Sequence, residues 1–165
     1  RAPLSAWTKG RVALLGDAKA KFRVIEHEAE GKSEAISAIR GNRPDQAAKA
    51  MVLDVRGGGG GRRHVLAILP GNRKLDFAAV TALFEARKCG FASPETAQEL
   101  TGCAMGAVPP FALNPALAIV VDEDLLANET LFFNAGRLDR SMELDTKDWI
   151  AIAQPRVARI AARDP

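Results

Sequence analysis

Five consecutive glycines, positions 57–61, stand between two short apolar runs and constrain the fold more than any other feature. Residues 50–55 and 64–69 are rich in Val, Leu and Ile, too short for typical helices, and bounded by turn formers, so each reads as a buried strand. Both bury in one core only if the chain reverses at the glycines. The two runs therefore pair as a hairpin with a long, flexible tip.

The other segments build outward from that hairpin. Residues 22–27 alternate and carry β-branched side chains, which predicts a strand. Ser33 is the expected N-cap of a short helix through Ile36 and Ile39 that stops at Gly41, and Pro44 opens a further helical turn. A helix is expected over 76–87, with Phe77, Val80, Leu83 and Phe84 forming its apolar stripe. Ser93 and Pro94 start another helix, and 102–115 is a Gly/Pro-rich loop. Strands are expected at 117–121, 130–133 and 141–144, then a helix capped by Thr146 and a closing strand at 157–160. A helix from residue 5 to about 21 buries Trp7, Val12, Leu14 and Leu15. The sum is an α+β fold over 1–165, one compact domain whose mixed central β-sheet carries flanking helices.

Composition excludes several functional classes. Of the 165 residues 47% are hydrophobic and 26% charged, an ordinary globular mixture. Aromatics are 5% and Tyr is absent, which argues against a base-stacking platform. The formal charge of +3 is compatible with a polyanionic partner. Cys89 and Cys103 make no disulfide framework, and with His27 and His64 they offer no zinc spacing, so neither metal nor cofactor is expected. No apolar run approaches the roughly 18 residues of a membrane span. Residues 1–7 lack a signal peptide's apolar region, so a reduced, cytoplasmic protein is expected.

Lys49 sits at the mouth of an apolar strand, in Gln46-Ala47-Ala48-Lys49-Ala50-Met51. A charge there is either a solvated edge lysine whose stem covers apolar surface or a functional cation. The segment Gly102-Cys103-Ala104-Met105-Gly106-Ala107-Val108-Pro109-Pro110-Phe111 combines flexible glycines with stiff prolines. It is either a rigid connection or a presenter of backbone N–H groups from Gly106, Ala107 or Val108 to one oxygen. The glycine run with Arg62 and Arg63 lacks the Lys-Ser/Thr ending of a phosphate loop, though its arginines suit an RNA backbone. Cys103 is expected to be a small buried cysteine, His27 a satisfied structural histidine, and Asp122, Glu123 and Asp124 a solvated turn.

Taken in order, several of these pieces carry a resemblance. They are Glu26-His27, Pro44-Asp45-Gln46-Ala47-Ala48-Lys49, Leu69-Pro70, Lys74-Leu75-Asp76, Glu99-Leu100-Thr101-Gly102, Gly106-Ala107-Val108-Pro109-Pro110-Phe111, Asn134-Ala135-Gly136-Arg137 and Ser141-Met142-Glu143-Leu144. The set resembles the YbaK and prolyl-tRNA-synthetase-associated editing domain family over most of the chain. That resemblance implies a mixed sheet with flanking helices and hydrolysis of wrongly charged aminoacyl-tRNA by a free-standing enzyme. It implies that Lys49 is the essential lysine and that Gly106 through Pro110 are the Gly-x-x-x-Pro loop. An aminoacyl ester is already activated, so water suffices if the carbonyl is polarised and held. Gly106, Ala107 and Val108 would face the developing oxyanion, and Lys49 would anchor the substrate near the terminal adenosine.

The substrate pocket is expected from Ile25, Met51, Pro109, Pro110, Asn134, Ala135, Gly136 and Ser141. Alanine-editing relatives place Asn after the lysine, where Ala50 stands, and Cys-removing relatives place Asp where Ser141 stands. Ser, Thr or Ala is the favoured leaving amino acid, with Cys open. The implied partners are the acceptor end of aminoacyl-tRNA and an aminoacyl-tRNA synthetase, with no membrane. The alternative is a non-catalytic module of the same fold that binds tRNA or a synthetase.

Overall fold

The apolar runs on either side of the glycines pair as an antiparallel hairpin. Strand β2 (Ala48–Arg56) lies against β3 (Arg63–Pro70), in register from Ala48 opposite Pro70 to Val55 opposite Arg63. The computed structural model describes residues 21–112 and 114–162. The helix expected from residue 5, with Trp7, Val12, Leu14 and Leu15, lies outside the described residues. The hairpin tip is less loose than its composition implies. Gly58 has φ +74, and a Cβ there would collide with the Glu85 carbonyl, so the tip packs against a later turn.

The hairpin is the centre of a five-stranded sheet ordered β4-β2-β3-β5-β8. Its other members are β4 (Lys88–Phe91), β5 (Leu117–Asp122) and β8 (Arg156–Ala158). The β3–β5 and β5–β8 pairs are parallel and the others antiparallel, so the sheet is mixed. Strands β1 (Phe22–Glu26), β6 (Thr130–Arg137) and β7 (Arg140–Asp145) form a second, antiparallel sheet ordered β1-β7-β6. An isolated parallel bridge from Ala47 to Phe132 ties the two sheets together. The helices are α1 (Ser33–Arg40), α2 (Phe77–Leu83), α3 (Pro94–Thr101) and α4 (Thr146–Ala153), with 3-10 turns at Pro44–Gln46 and Glu123–Ala127.

The central strands read as continuous apolar runs because both of their faces are covered. Val52, Leu66, Ile68 and Val121 pack with Leu131, Phe133, Met142 and Trp149 of the second sheet and α4. Leu53, Val55, Val65 and Ala67 pack on the opposite face with Val80 of α2 and Ile160. Each such side chain stabilises the fold by about 1.5–3 kcal/mol through removal from water.

Several local expectations are corrected. Helix α1 is capped by Lys32 without a side-chain hydrogen bond, and Ser33 is its first residue; Gly41, at φ +79, ends it as expected. Helix α2 stops at Leu83 instead of running to Arg87, because Glu85 takes φ +51 and Arg87 N–H donates to the Arg56 carbonyl. The chain then enters β4, a strand that sequence pattern did not reveal. Asp145, not Thr146, caps α4, accepting from Asp148 N–H. The closing strand covers Arg156–Ala158, earlier than expected. Asp122 is fully buried, not a solvated turn residue. Its carboxylate accepts from the N–H groups of Ile160, Ala161 and Asp124, closing the C-terminal segment onto β5.

Asp54 on β2 is likewise buried, with Arg56 Nε at 3.0 Å and Arg62 Nη2 at 3.0 Å. Burial pushes its carboxyl up, but the Arg62 hydrogen bond and the charges of Arg56 and Arg62 outweigh it and hold the group below the ordinary value. A lowered folded-state value means the ionised form favours folding. The contribution is present above the unfolded value near about 4 and is lost as pH falls through the folded one. Melting temperatures of wild type and Asp54→Asn therefore differ by a constant amount near neutral pH and converge below about pH 4. A gap that persists unchanged to pH 2 contradicts this.

Candidate active site

Strand β4 pairs with β2 only from Leu53 to Arg56, which leaves the first half of β2 as an open edge. A cavity of about 650 Å³ lies along this edge, bounded also by α1, α3, β6 and the loop after α3. Because the cavity wraps an edge, successive side chains from both faces of β2 border it, from Ala48 through Lys49 and Met51 to Val52. Lys49 is half-buried there, and its Nζ donates to the Arg73 carbonyl at 2.6 Å. Arg73 is itself fixed. Its guanidinium donates to the Ala162 carbonyl through Nη2 at 2.8 Å and pairs with Asp124 at 3.3 Å. The ammonium is thus oriented from the C-terminal segment, through Arg73, at the start of β2.

Another part of the wall is the loop that follows α3. Gly102 ends that helix in the left-handed conformation at φ +70, and Gly106 takes φ +84. The Gly106 carbonyl accepts from Asn134 Nδ2 at 2.7 Å, and the same amide donates to the Glu30 carbonyl at 3.1 Å. Behind Asn134, Ser141 Oγ donates to Asn134 Oδ1 at 3.1 Å and accepts from Arg40 Nη1 at 3.1 Å, with His27 Nε2 at 2.6 Å. Gly106 and Val108 border the cavity, and among the described residues neither of their N–H groups has an acceptor.

Ala107 differs. It is buried, its N–H donates to the Ala104 carbonyl at 3.0 Å, and its carbonyl accepts from Gly136 N–H at 3.0 Å. That amide is engaged in holding the loop and does not face an oxyanion, which corrects the expectation of three donors.

Of the other expected pocket residues, Met51 and Asn134 border the cavity. Ile25, Pro109, Pro110, Ala135, Gly136 and Ser141 do not. Ile25 faces Ser141 across the β1–β7 pair, Ala135 belongs to the core, and the Pro110 carbonyl accepts from Trp149 Nε1 at 2.9 Å. Pro109 is buried, and Gly136 at φ +81 anchors Ala107. These residues hold the wall from behind. His27 is satisfied at both ring nitrogens, by the Glu28 carbonyl and Ser141. Cys103 borders the cavity but is buried, and burial pushes its thiol up against the opposing effect of Thr101, which disfavours a thiolate nucleophile. Arg62 is held by Asp54, and Arg63 stacks over Phe84 at 5.5 Å.

Sequence reasoning missed Arg40, Phe91 and Gln98 as cavity residues. A basic residue in a helix's last turn before a C-cap glycine is common for dipole reasons alone, so Arg40 carried no distinguishing signal. Phe91 belongs to the strand that went unrecognised. No helix among the described residues is long and apolar enough to cross a membrane.

Lys49, Gly106 and Val108 thus border one mostly apolar cavity. Residues 27–152 match the aminoacyl-tRNA editing domain family, and the chain belongs to that family. It is 44% identical over 147 residues to the multifunctional Ser/Thr-tRNA deacylase ProXp-y of Escherichia coli K12, covering 88% of this chain and 87% of that protein. Among solved structures, a candidate trans-editing enzyme for prolyl tRNA synthetase superposes with a TM-score of 0.79 at 26% identity, covering 98% of this chain and 100% of that one. A hypothetical protein superposes with a TM-score of 0.81 at 20% identity, covering 92% and 99%, which speaks to the fold alone. The expected family, the α+β fold and the aminoacyl-tRNA editing activity agree with these findings.

Proposed function

We propose that this protein removes serine and threonine from wrongly charged tRNA, with Lys49 and the N–H groups of Gly106 and Val108 acting on the aminoacyl ester. The observation that carries this reading is that these three residues border one cavity. Attack of water on the ester carbon places negative charge on the carbonyl oxygen. Preorganised N–H donors stabilise that oxygen more than they stabilise the neutral carbonyl, which lowers the barrier. Lys49 adds a positive charge on the cavity wall that favours the negative charge developing at the ester.

Among the described residues no carboxylate borders the cavity. The substrate's α-ammonium is therefore left to carbonyl oxygens along the open edge of β2. Asn134, a polar side chain of the cavity wall, has Oδ1 to accept from the hydroxyl of a small substrate, while Met51, Ala48 and Val52 limit its size. The similarity to a Ser/Thr-tRNA deacylase supports the same choice of amino acids. In this reading the enzyme works in the cytoplasm on charged tRNA released by a synthetase.

The test is a panel of tRNAs carrying Ser, Thr, Ala, Cys and Pro under single-turnover conditions. Ser and Thr esters are expected to be cleaved at least about 10-fold faster than the rest, the scale that one pocket contact supplies. Binding of charged tRNA without any turnover would instead support the non-catalytic module.

A further inference from the structure

Arg40, at the end of α1, borders the same cavity as Lys49 but plays no part in the chemistry above. Its Nε donates to Asn42 Oδ1 at 3.0 Å and its Nη1 to Ser141 Oγ at 3.1 Å. Both partners are neutral. Among the described residues no carboxylate lies within ion-pair distance, and the remaining N–H groups of the guanidinium have no acceptor. Burial lowers its pKa to about 10, the direction expected for a cation taken out of water without a counter-charge. A guanidinium in that state is costly unless an anion completes it. Asn42 and Ser141 hold the fork in place, so it is preorganised for a planar or tetrahedral oxyanion.

The cavity thus presents two cations and no carboxylate among the described residues, and its amino acid substrate carries no acid group once esterified. The anion that accompanies such a substrate is the phosphodiester joining the terminal adenosine to the preceding nucleotide. We infer that Arg40 is a binding residue for the phosphate on the 5′ side of the substrate's terminal adenosine. This inference rests on the aminoacyl-tRNA reading above only for the source of the phosphate. It makes Arg40 a positioning contact: a phosphate held at one end fixes where the ester at the other end of the nucleoside meets Gly106 and Val108.

The test is a titration of adenosine 5′-monophosphate, adenosine, inorganic phosphate and free serine into wild type, Arg40→Gln and Arg40→Lys. Matched thermal melts check folding, and Arg40→Lys keeps the charge if Arg40→Gln unfolds. Wild type is expected to bind the monophosphate at least about 10-fold tighter than adenosine, an order typical of one charge-assisted contact. Arg40→Gln is expected to remove most of that preference and Arg40→Lys to keep part of it. An unchanged preference in Arg40→Gln overturns the inference. So does Arg40-dependent binding of free serine or inorganic phosphate that matches the monophosphate.

A second arm compares seryl-tRNA with the serine ester of adenosine, which lacks the phosphate. The ratio of their kcat/KM values is expected to fall toward one in Arg40→Gln. If wild type cleaves neither ester yet shows the Arg40-dependent nucleotide preference, the deacylase reading fails and the phosphate site stands. If it cleaves both with a ratio that Arg40→Gln does not move, the phosphate site fails alone.

Discussion

Replacing Lys49 by alanine is expected to lower single-turnover deacylation of seryl-tRNA by roughly 10²–10³-fold, the loss typical when one preorganised electrostatic contact to developing charge is removed. The protein should remain folded. Lys49 is half-buried at an open edge, the residues that cover the neighbouring core are intact, and its Nζ donates to the carbonyl of Arg73, whose guanidinium is held from the other side by the Ala162 carbonyl. Lys49→Met separates the effects of charge and stem. It keeps the apolar length that packs along β2 and loses only the ammonium. If the methionine variant deacylates like wild type, Lys49 is a solvated edge residue, and the alanine defect is one of packing. If both variants lose activity with melting temperatures near wild type, the charge is what matters.

How much of this could be read in the sequence depends on where the information resides. The β2–β3 hairpin was legible because two apolar runs and a glycine tract leave few alternatives. The same holds for α3, whose Ser93-Pro94 start is a local capping signal observed as written, with Ser93 Oγ accepting from Thr96 N–H. Strand β4 was not legible. Lys88-Cys89-Gly90-Phe91 has no alternation and follows a helical stripe, and it becomes a strand only because Val55 and Leu53 offer an unpaired edge. The division into two sheets was hidden for a related reason. A strand's pattern tells which faces are buried but not which partner buries them.

The site divides in the same way. Ordered motifs point to Lys49 and the Gly106 loop, and both border the cavity. Asn134 was found as a polar pocket residue, but its larger task, holding the Gly106 carbonyl, depends on a contact 28 positions away in sequence. Ala107 was misjudged because a composition of Gly and Pro shows that backbone amides are available, not which way they point. Its neighbours face the cavity, while its own peptide is tied to Ala104 and Gly136. Arg40 was invisible because its meaning lies in the carboxylates that are missing around it.

Gly106→Ala is the second large expected effect, and it tests the loop separately from the lysine. Gly106 sits at φ +84, where an L side chain costs about 1–2 kcal/mol by local sterics alone. The added Cβ would also lie 3.0 Å from Gly31 Cα and 3.1 Å from the Gly31 carbonyl oxygen. Both are backbone atoms, which cannot swing aside as a side chain can. Relief must come from moving the loop or the 30–31 segment, and Asn134 joins the two by donating to the carbonyls of both Glu30 and Gly106. The peptide that Asn134 fixes therefore shifts, and the N–H groups of Gly106 and Val108 lose their aim. The expected result is a fall in kcat of roughly 10²–10³-fold, as for loss of an oxyanion donor, with a smaller change in KM. Gly31→Ala is the matched comparison. Its one tight contact would be the end of the Leu138 side chain at 3.2 Å, with Gly106 Cα and the Met105 carbonyl oxygen at an ordinary 3.7 and 3.8 Å. That change is expected to cost less than about tenfold in kcat, because a flexible side chain gives way where a backbone does not. Equal losses in the two variants would mean that crowding, not the direction of the amides, governs the reaction, and wild-type kcat in Gly106→Ala would remove the loop from the chemistry.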